Sequence, residues 1–140
     1  MAERWEPIIA FGFAGLSLGI LDGSQWAVGD ADEQVAITTR TAVRALPVLE
    51  LDPEESLRLI SERLRQIERV PPIDTVLATL IADAVSHGRS YWTDLGMRWV
   101  EALQPTPALV EIAAQVSSSS WASQRARHAA RRVIRRAERP

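Results

Sequence analysis

Apolar residues recur at three- and four-residue steps along most of this chain, the spacing of helices that bury one face. The pattern is clearest between Asp52 and Gly88. Leu57, Ile60, Leu64 and Ile67 form one stripe. Asp52 stands before it as an N-cap, Pro53 occupies a position whose missing N–H costs nothing, and Glu55 falls where a capping box places its acid. Pro71-Pro72 predicts the end of that helix, because a residue preceding proline is pushed out of helical torsions. A second helix follows with Ile73, Val76, Leu77, Leu80, Ile81, Ala84 and Val85 on one face. His87 lies in its last turn, where the helix dipole favours an imidazolium, and Gly88 supplies a left-handed stop.

Upstream, the run from Ile8 to Leu21 has Ser17 as its one polar side chain. It is too short to span a bilayer, which takes about twenty apolar residues. Its flank carries Glu3 and Glu6 rather than net positive charge, with no cleavage pattern, so it does not fit a secretory signal. The expectation is a cytoplasmic protein in which this stretch is buried. Gly15, Gly19 and Gly23 repeat every four residues, a spacing that permits close helix contact. The run is read as a buried, poorly regular helix. Asp22 to Glu33 has the length and acidity of a calcium loop, but Trp26 and Ala27 stand where an oxygen ligand and glycine are required. The better reading is a turn at Asp22-Gly23-Ser24, then Asp30 as an N-cap with Glu33 three residues on. A helix from about Ala31 to Leu46 is expected, with Val35, Thr39, Ala42, Val43 and Leu46 inward and Pro47 closing it.

Downstream, Ser90 is placed to cap a helix through Leu103, with Trp92, Leu95, Trp99 and Leu103 as its stripe. Thr106-Pro107 opens a shorter helix carrying Leu109, Ile112, Ala113 and Val116, broken by Ser117 to Ser120. The last helix is the most amphipathic. Ala122, Ala126, Ala129, Ala130, Val133, Ile134 and Ala137 fill one arc, and seven arginines with His128 fill the rest. Its alanine face suits close docking onto protein better than membrane insertion, which wants bulkier side chains. The count is six to seven helices with short connections, hence antiparallel neighbours. The predicted fold is all-α, a compact bundle or short right-handed solenoid. A single all-helical domain is expected over residues 1–140, with 121–140 a basic C-terminal helix.

Two segments share an outline: Pro72 through Trp92 to Leu103, and Pro107 through Trp121 to Ala137. Each is a proline-started helix, a serine turn, and a second helix with Trp near its start and arginine six residues later (Arg98, Arg127). Ala126-Arg127-His128-Ala129-Ala130, followed by Val133-Ile134, resembles the second helix of a HEAT-type repeat. The likeness covers at most the last seventy residues. It implies stacked helical hairpins serving as a binding scaffold rather than a catalyst.

Composition changes this picture in two respects. The chain has no cysteine, which excludes disulfides, thiolate nucleophiles and Cys-based zinc sites. Its net charge of −2 conceals a split. Residues 121–140 hold seven arginines and one glutamate, +6, against nine arginines and seventeen acids, −8, elsewhere. All sixteen basic residues are arginine, for which codon bias and selection for the guanidinium fork are both available explanations.

No catalytic, cofactor or metal motif is present. His87 and His128 fall on separate predicted helices, no metal-binding histidine spacing occurs, and the glycines around Gly12 to Gly19 match neither phosphate-binding pattern. Trp92 and Trp99, one heptad apart, read as core. Trp5, Trp26 and Trp121 lie near element starts, where packing and partner contact are the two readings. The expected function is a non-enzymatic protein-interaction or scaffold module, binding another protein or itself. The alternative is nucleic-acid binding through the last helix. In either case the candidate contacts are Trp121, Arg125, Arg127, Arg131, Arg132, Arg135 and Arg136.

Overall fold

The described residues from Trp5 to Ala36 form a sheet, not helices. In the computed structural model, which describes residues 4–12, 14–67 and 69–139, four antiparallel strands run in the order β1-β2-β3-β4. They are β1 (Trp5–Phe11), β2 (Leu16–Leu21), β3 (Gln25–Gly29) and β4 (Gln34–Ala36). The expected all-α bundle or solenoid is therefore corrected to a mixed fold, a β-meander followed by helices. Glu3, used above in reading the N-terminal flank, lies outside the described residues.

The chain separates into two compact units, Met1–Thr79 and Leu80–Pro140. In the first, Gly15 and Gly23, two of the glycines that imitate a helix face, are punctuation between strands. Asp22 and Gly23 both take left-handed torsions, φ +56° and +69°, and Ser24 N–H donates to Leu21 O at 3.2 Å. Asp-Gly is the composition that such a hairpin turn selects. Gly19, within β2, answers to a close approach. A Cβ there would lie 2.5 Å from Glu6 O and 2.6 Å from the Trp5 ring. Nearby, the β1–β2 register shifts between Pro7 and Ile9, a bulge on an edge strand where proline is tolerated. Leu18, Ile20 and Leu21 of β2 and Trp26, Ala27 and Val28 of β3 are all buried. Strands covered on both faces lose the polar–apolar alternation that marks them in sequence.

The expected helix from Ala31 to Leu46 is also corrected. Asp30 does accept the N–H groups of Asp32 and Glu33, each at 2.9 Å, but the turn leads into β4. Beyond it, Thr38 N–H donates to Thr41 Oγ1 at 2.8 Å, and that hydroxyl donates to Ala36 O at 2.6 Å. These side-chain bonds supplant helical ones, the ordinary competition set up by Asp and Thr. A 3-10 segment follows over Ala42–Glu50, with Pro47 inside it rather than closing it.

Helix α1 spans Pro53–Leu64, and Asp52 caps it by accepting Glu55 N–H at 2.9 Å. It stops short of Pro71-Pro72, closing through Gln66 N–H to Arg63 O and Ile67 N–H to Leu64 O, both 3.1 Å. Helix α2 (Ile73–Ser86) buries Val76, Leu77, Leu80, Ile81, Ala84 and Val85 as the periodicity predicts. Gly88 ends it at φ +67°.

The second unit holds the rest of α2, then α3 (Ser90–Ala102), α4 (Pro107–Ser117) and α5 (Gln124–Glu138). Ser90 begins α3, but the N-cap position is Arg89 and makes no side-chain cap bond. The buried face of α3 is Thr93, Gly96, Met97, Trp99 and Val100, so Trp92 and Leu95 stand at its half-buried edges. Thr106 caps α4 through Leu109 N–H at 3.3 Å, and Ser123 caps α5 through Ala126 N–H at 3.0 Å. At the C-terminal end of α4, Ser117 and Ser119 return hydroxyl donors to Ala114 O and Gln115 O at 2.9 and 2.7 Å. The serine run thus satisfies carbonyls left open where the helix stops.

Candidate functional site

The arginines of α5 divide into those that hold the helix in place and those that face outward. At about 100° per residue, Ala126, Ala129, Ala130 and Val133 form the buried arc, and all four are buried. Arg125, Arg132 and Arg136 follow one flank at seven- and four-residue steps. Arg127 is on the other flank, and His128, Arg131 and Arg135 form the crest opposite the buried arc.

The first flank meets α3. Arg132 binds the Glu101 carboxylate with two hydrogen bonds, Nε to Oε2 at 3.0 Å and Nη2 to Oε1 at 3.1 Å. Arg136 donates to Glu101 O at 3.1 Å and Leu103 O at 3.0 Å, supplying donors to carbonyls at the end of α3 that have no helical partner. One turn from the start of α3, Asp94 accepts a hydrogen bond from Ser123, the cap of α5. The pairs 94–123, 101–132 and 103–136 advance together, so α3 and α5 run parallel. Bonding and attraction to Glu101 raise the Arg132 guanidinium above its ordinary pKa.

Two of the candidate contacts, Arg132 and Arg136, are therefore engaged inside the fold. Among the described residues, no ion pair or side-chain hydrogen bond is formed by Arg125, Arg127, Arg131 or Arg135. The crest bounds a shallow depression of about 350 Å³ lined by His128, Arg131, Arg132 and Arg135. Trp121 is 39% exposed just before α5, and Tyr91 is 55% exposed at the start of α3. Because α3 and α5 are parallel, these two aromatics mark the same end of the pair. Tyr91 stands edge-on to Trp92 with centroids 5.1 Å apart.

The remaining aromatics and histidine are placed otherwise. Trp26, a candidate for a partner surface, is buried and donates Nε1–H to Pro71 O at 3.0 Å, and Trp99 is fully buried. His87 pairs with Asp83 one turn back, Nε2 to Oδ2 3.1 Å. The first unit has a larger open cleft of about 740 Å³ between Arg4, Glu6, Ile8, Ile20 and Arg63. Its charges are mixed, with the Arg4 guanidinium on Glu6 at 3.3 Å and Asp22 accepting Arg4 N–H at 2.9 Å. No cluster of three or more His, Asp or Glu arranged for a metal occurs among the described residues.

Glu101 is the site residue that sequence reasoning did not single out. It is a half-buried acid near the end of α3, and only the parallel packing of α3 on α5 gives it and Asp94 their roles. No helix among the described residues is long and apolar enough to cross a membrane. Comparison of the chain with protein-family models, with curated proteins and with solved structures gave no match.

Proposed function

We propose that this chain is a non-catalytic protein-interaction module, in which the helical unit presents α5 as the contact face for a protein partner or a second copy. One observation carries the reading: α5 is held on α3 by Arg132 and Arg136, while Arg125, Arg127, Arg131 and Arg135 extend from it without partners among the described residues. A helix fixed on one flank presents its other charges from a rigid support, which lowers the entropy lost on binding. Exposed Trp121 at the start of the same helix adds an aromatic of the kind enriched at interface hot spots. The HEAT-like outline of the C-terminal half agrees with such a scaffold role.

The test is affinity capture from an extract of the native host, with the wild type beside a Trp121→Ser, Arg131→Glu, Arg135→Glu variant. A protein retained by the wild type alone, and forming a defined complex with it after purification, is the expected result. A wild type that stays monomeric by light scattering and retains nothing the variant loses overturns the reading.

The same outward arginines support a second reading, contact with nucleic-acid phosphate. It predicts anisotropy changes with labelled duplex and single strand that weaken steeply as salt rises. Those changes disappear when Arg127, Arg131 and Arg135 are replaced by alanine; binding that survives the replacement excludes it.

A further inference from the structure

We infer that the crest of α5 takes an acidic helical segment of its protein partner, lying parallel to α5 in the depression lined by His128, Arg131, Arg132 and Arg135. The inference rests on the reading of the chain as an interaction module. It names the chemistry that reading leaves open.

The fold already contains one such pairing. Helix α3 lies along α5 and offers Asp94 and Glu101, carboxylates seven residues apart, to Ser123 and Arg132. The Glu101–Arg132 contact is bidentate, the geometry in which guanidinium and carboxylate planes match. Arg131 and Arg135 stand one residue before and three residues after Arg132, rotated toward solvent, with no acid among the described residues upon them. A partner helix with carboxylates at three-, four- or seven-residue spacing would repeat on the crest what α3 does on the flank. Trp121, seven residues before His128, would receive an apolar side chain near the start of that segment.

Length favours a short acidic segment over a nucleic acid. From His128 to Arg139 the basic row spans only about 17 Å at 1.5 Å per residue. That matches an acidic helix of two or three turns, whereas a nucleic acid extends well beyond it.

The test uses the full chain and a fluorescein-labelled, alanine-based helical peptide of about sixteen residues, since shorter isolated helices are marginal in water. The peptide carries glutamates at three- and four-residue spacing; a glutamine version is the neutral control, and labelled single-stranded and duplex DNA run alongside. Expected is saturable anisotropy with the glutamate peptide that is absent with the glutamine one. Arg131→Glu with Arg135→Glu should weaken it by about tenfold or more, and Arg127→Glu, on the far flank, by no more than about twofold. Circular dichroism confirms that each variant is folded. Equal loss from the Arg127 and Arg131/Arg135 variants overturns the assignment to the crest. Binding of DNA without the peptide assigns the surface to phosphate and overturns the inference. Binding of neither probe also overturns it, and leaves the interaction-module reading to be decided by the capture experiment.

Discussion

Arg132 and Glu101 lie 31 residues apart in sequence and are joined by two parallel hydrogen bonds of 3.0 and 3.1 Å, tying the middle of α5 to the end of α3. The pair is solvent-accessible, with 53% of the arginine and 34% of the glutamate side chain exposed. It serves as a positional clamp more than as a store of stability. Glu101→Gln is expected to cost about 0.5–1 kcal/mol, the range for an exposed ion pair of good geometry, read from the urea midpoint at unchanged slope. It also releases the Arg132 charge toward the crest, so affinity for the glutamate peptide should rise. A loss above about 3 kcal/mol would mean the pair acts as a buried one.

Two glycines should respond to alanine with opposite signs. At Gly19 the new methyl meets the Glu6 carbonyl at 2.5 Å and the Trp5 ring at 2.6 Å, so backbone has to move; about 1–3 kcal/mol of stability is lost. At Gly96, inside α3, the nearest atom is Ile81 Cγ2 at 3.5 Å, an ordinary contact. Alanine there gains helix propensity, up to about 1 kcal/mol. Thermal melts of the two variants against wild type give both signs in one experiment.

Thr93 is fully buried, and its Oγ1 has no hydrogen-bond partner among the described residues. Valine has nearly the same shape and removes the unsatisfied hydroxyl. Thr93→Val should therefore stabilise the protein by about 1 kcal/mol, measured by chemical denaturation. Marked destabilisation would show that the hydroxyl is bonded in solution.

Asp30 holds the turn into β4 as a carboxylate, and the N–H groups of Glu33 and Asp32 lower its pKa below 3.8. A depressed carboxylate contributes stability above its unfolded pKa and loses it as pH falls through the folded value. Carbon-detected NMR of the Asp30 carboxyl should give a midpoint below that of an unstructured aspartate. Asp30→Asn should flatten the acid side of the stability profile; an unchanged profile would rule out this contribution.

Where the chain is helical, the pattern was legible. Asp52, Thr106, Gly88 and the stripes of α2 and α4 are found where local rules place them, because capping and periodicity act within one or two turns. The Asp22-Gly23 turn was legible as well. Its meaning was not, because β2 and β3 are buried on both faces and their largely apolar sequences match a buried helix as well as a strand. In the candidate site the basic face of α5 was visible in sequence, whereas its division between clamp and crest was not.

Sequence alone determined the composition of each face: the alanine arc, the arginine arc, the turn glycines and the caps, all set by chemistry between near neighbours. Tertiary structure decided two matters that depend on distant partners. Strand pairing made a sheet of residues 5–36, since a strand's hydrogen bonds lie outside itself. The parallel approach of α3 to α5 brought Glu101 to Arg132 and the Glu101 and Leu103 carbonyls to Arg136, leaving Arg131 and Arg135 turned outward.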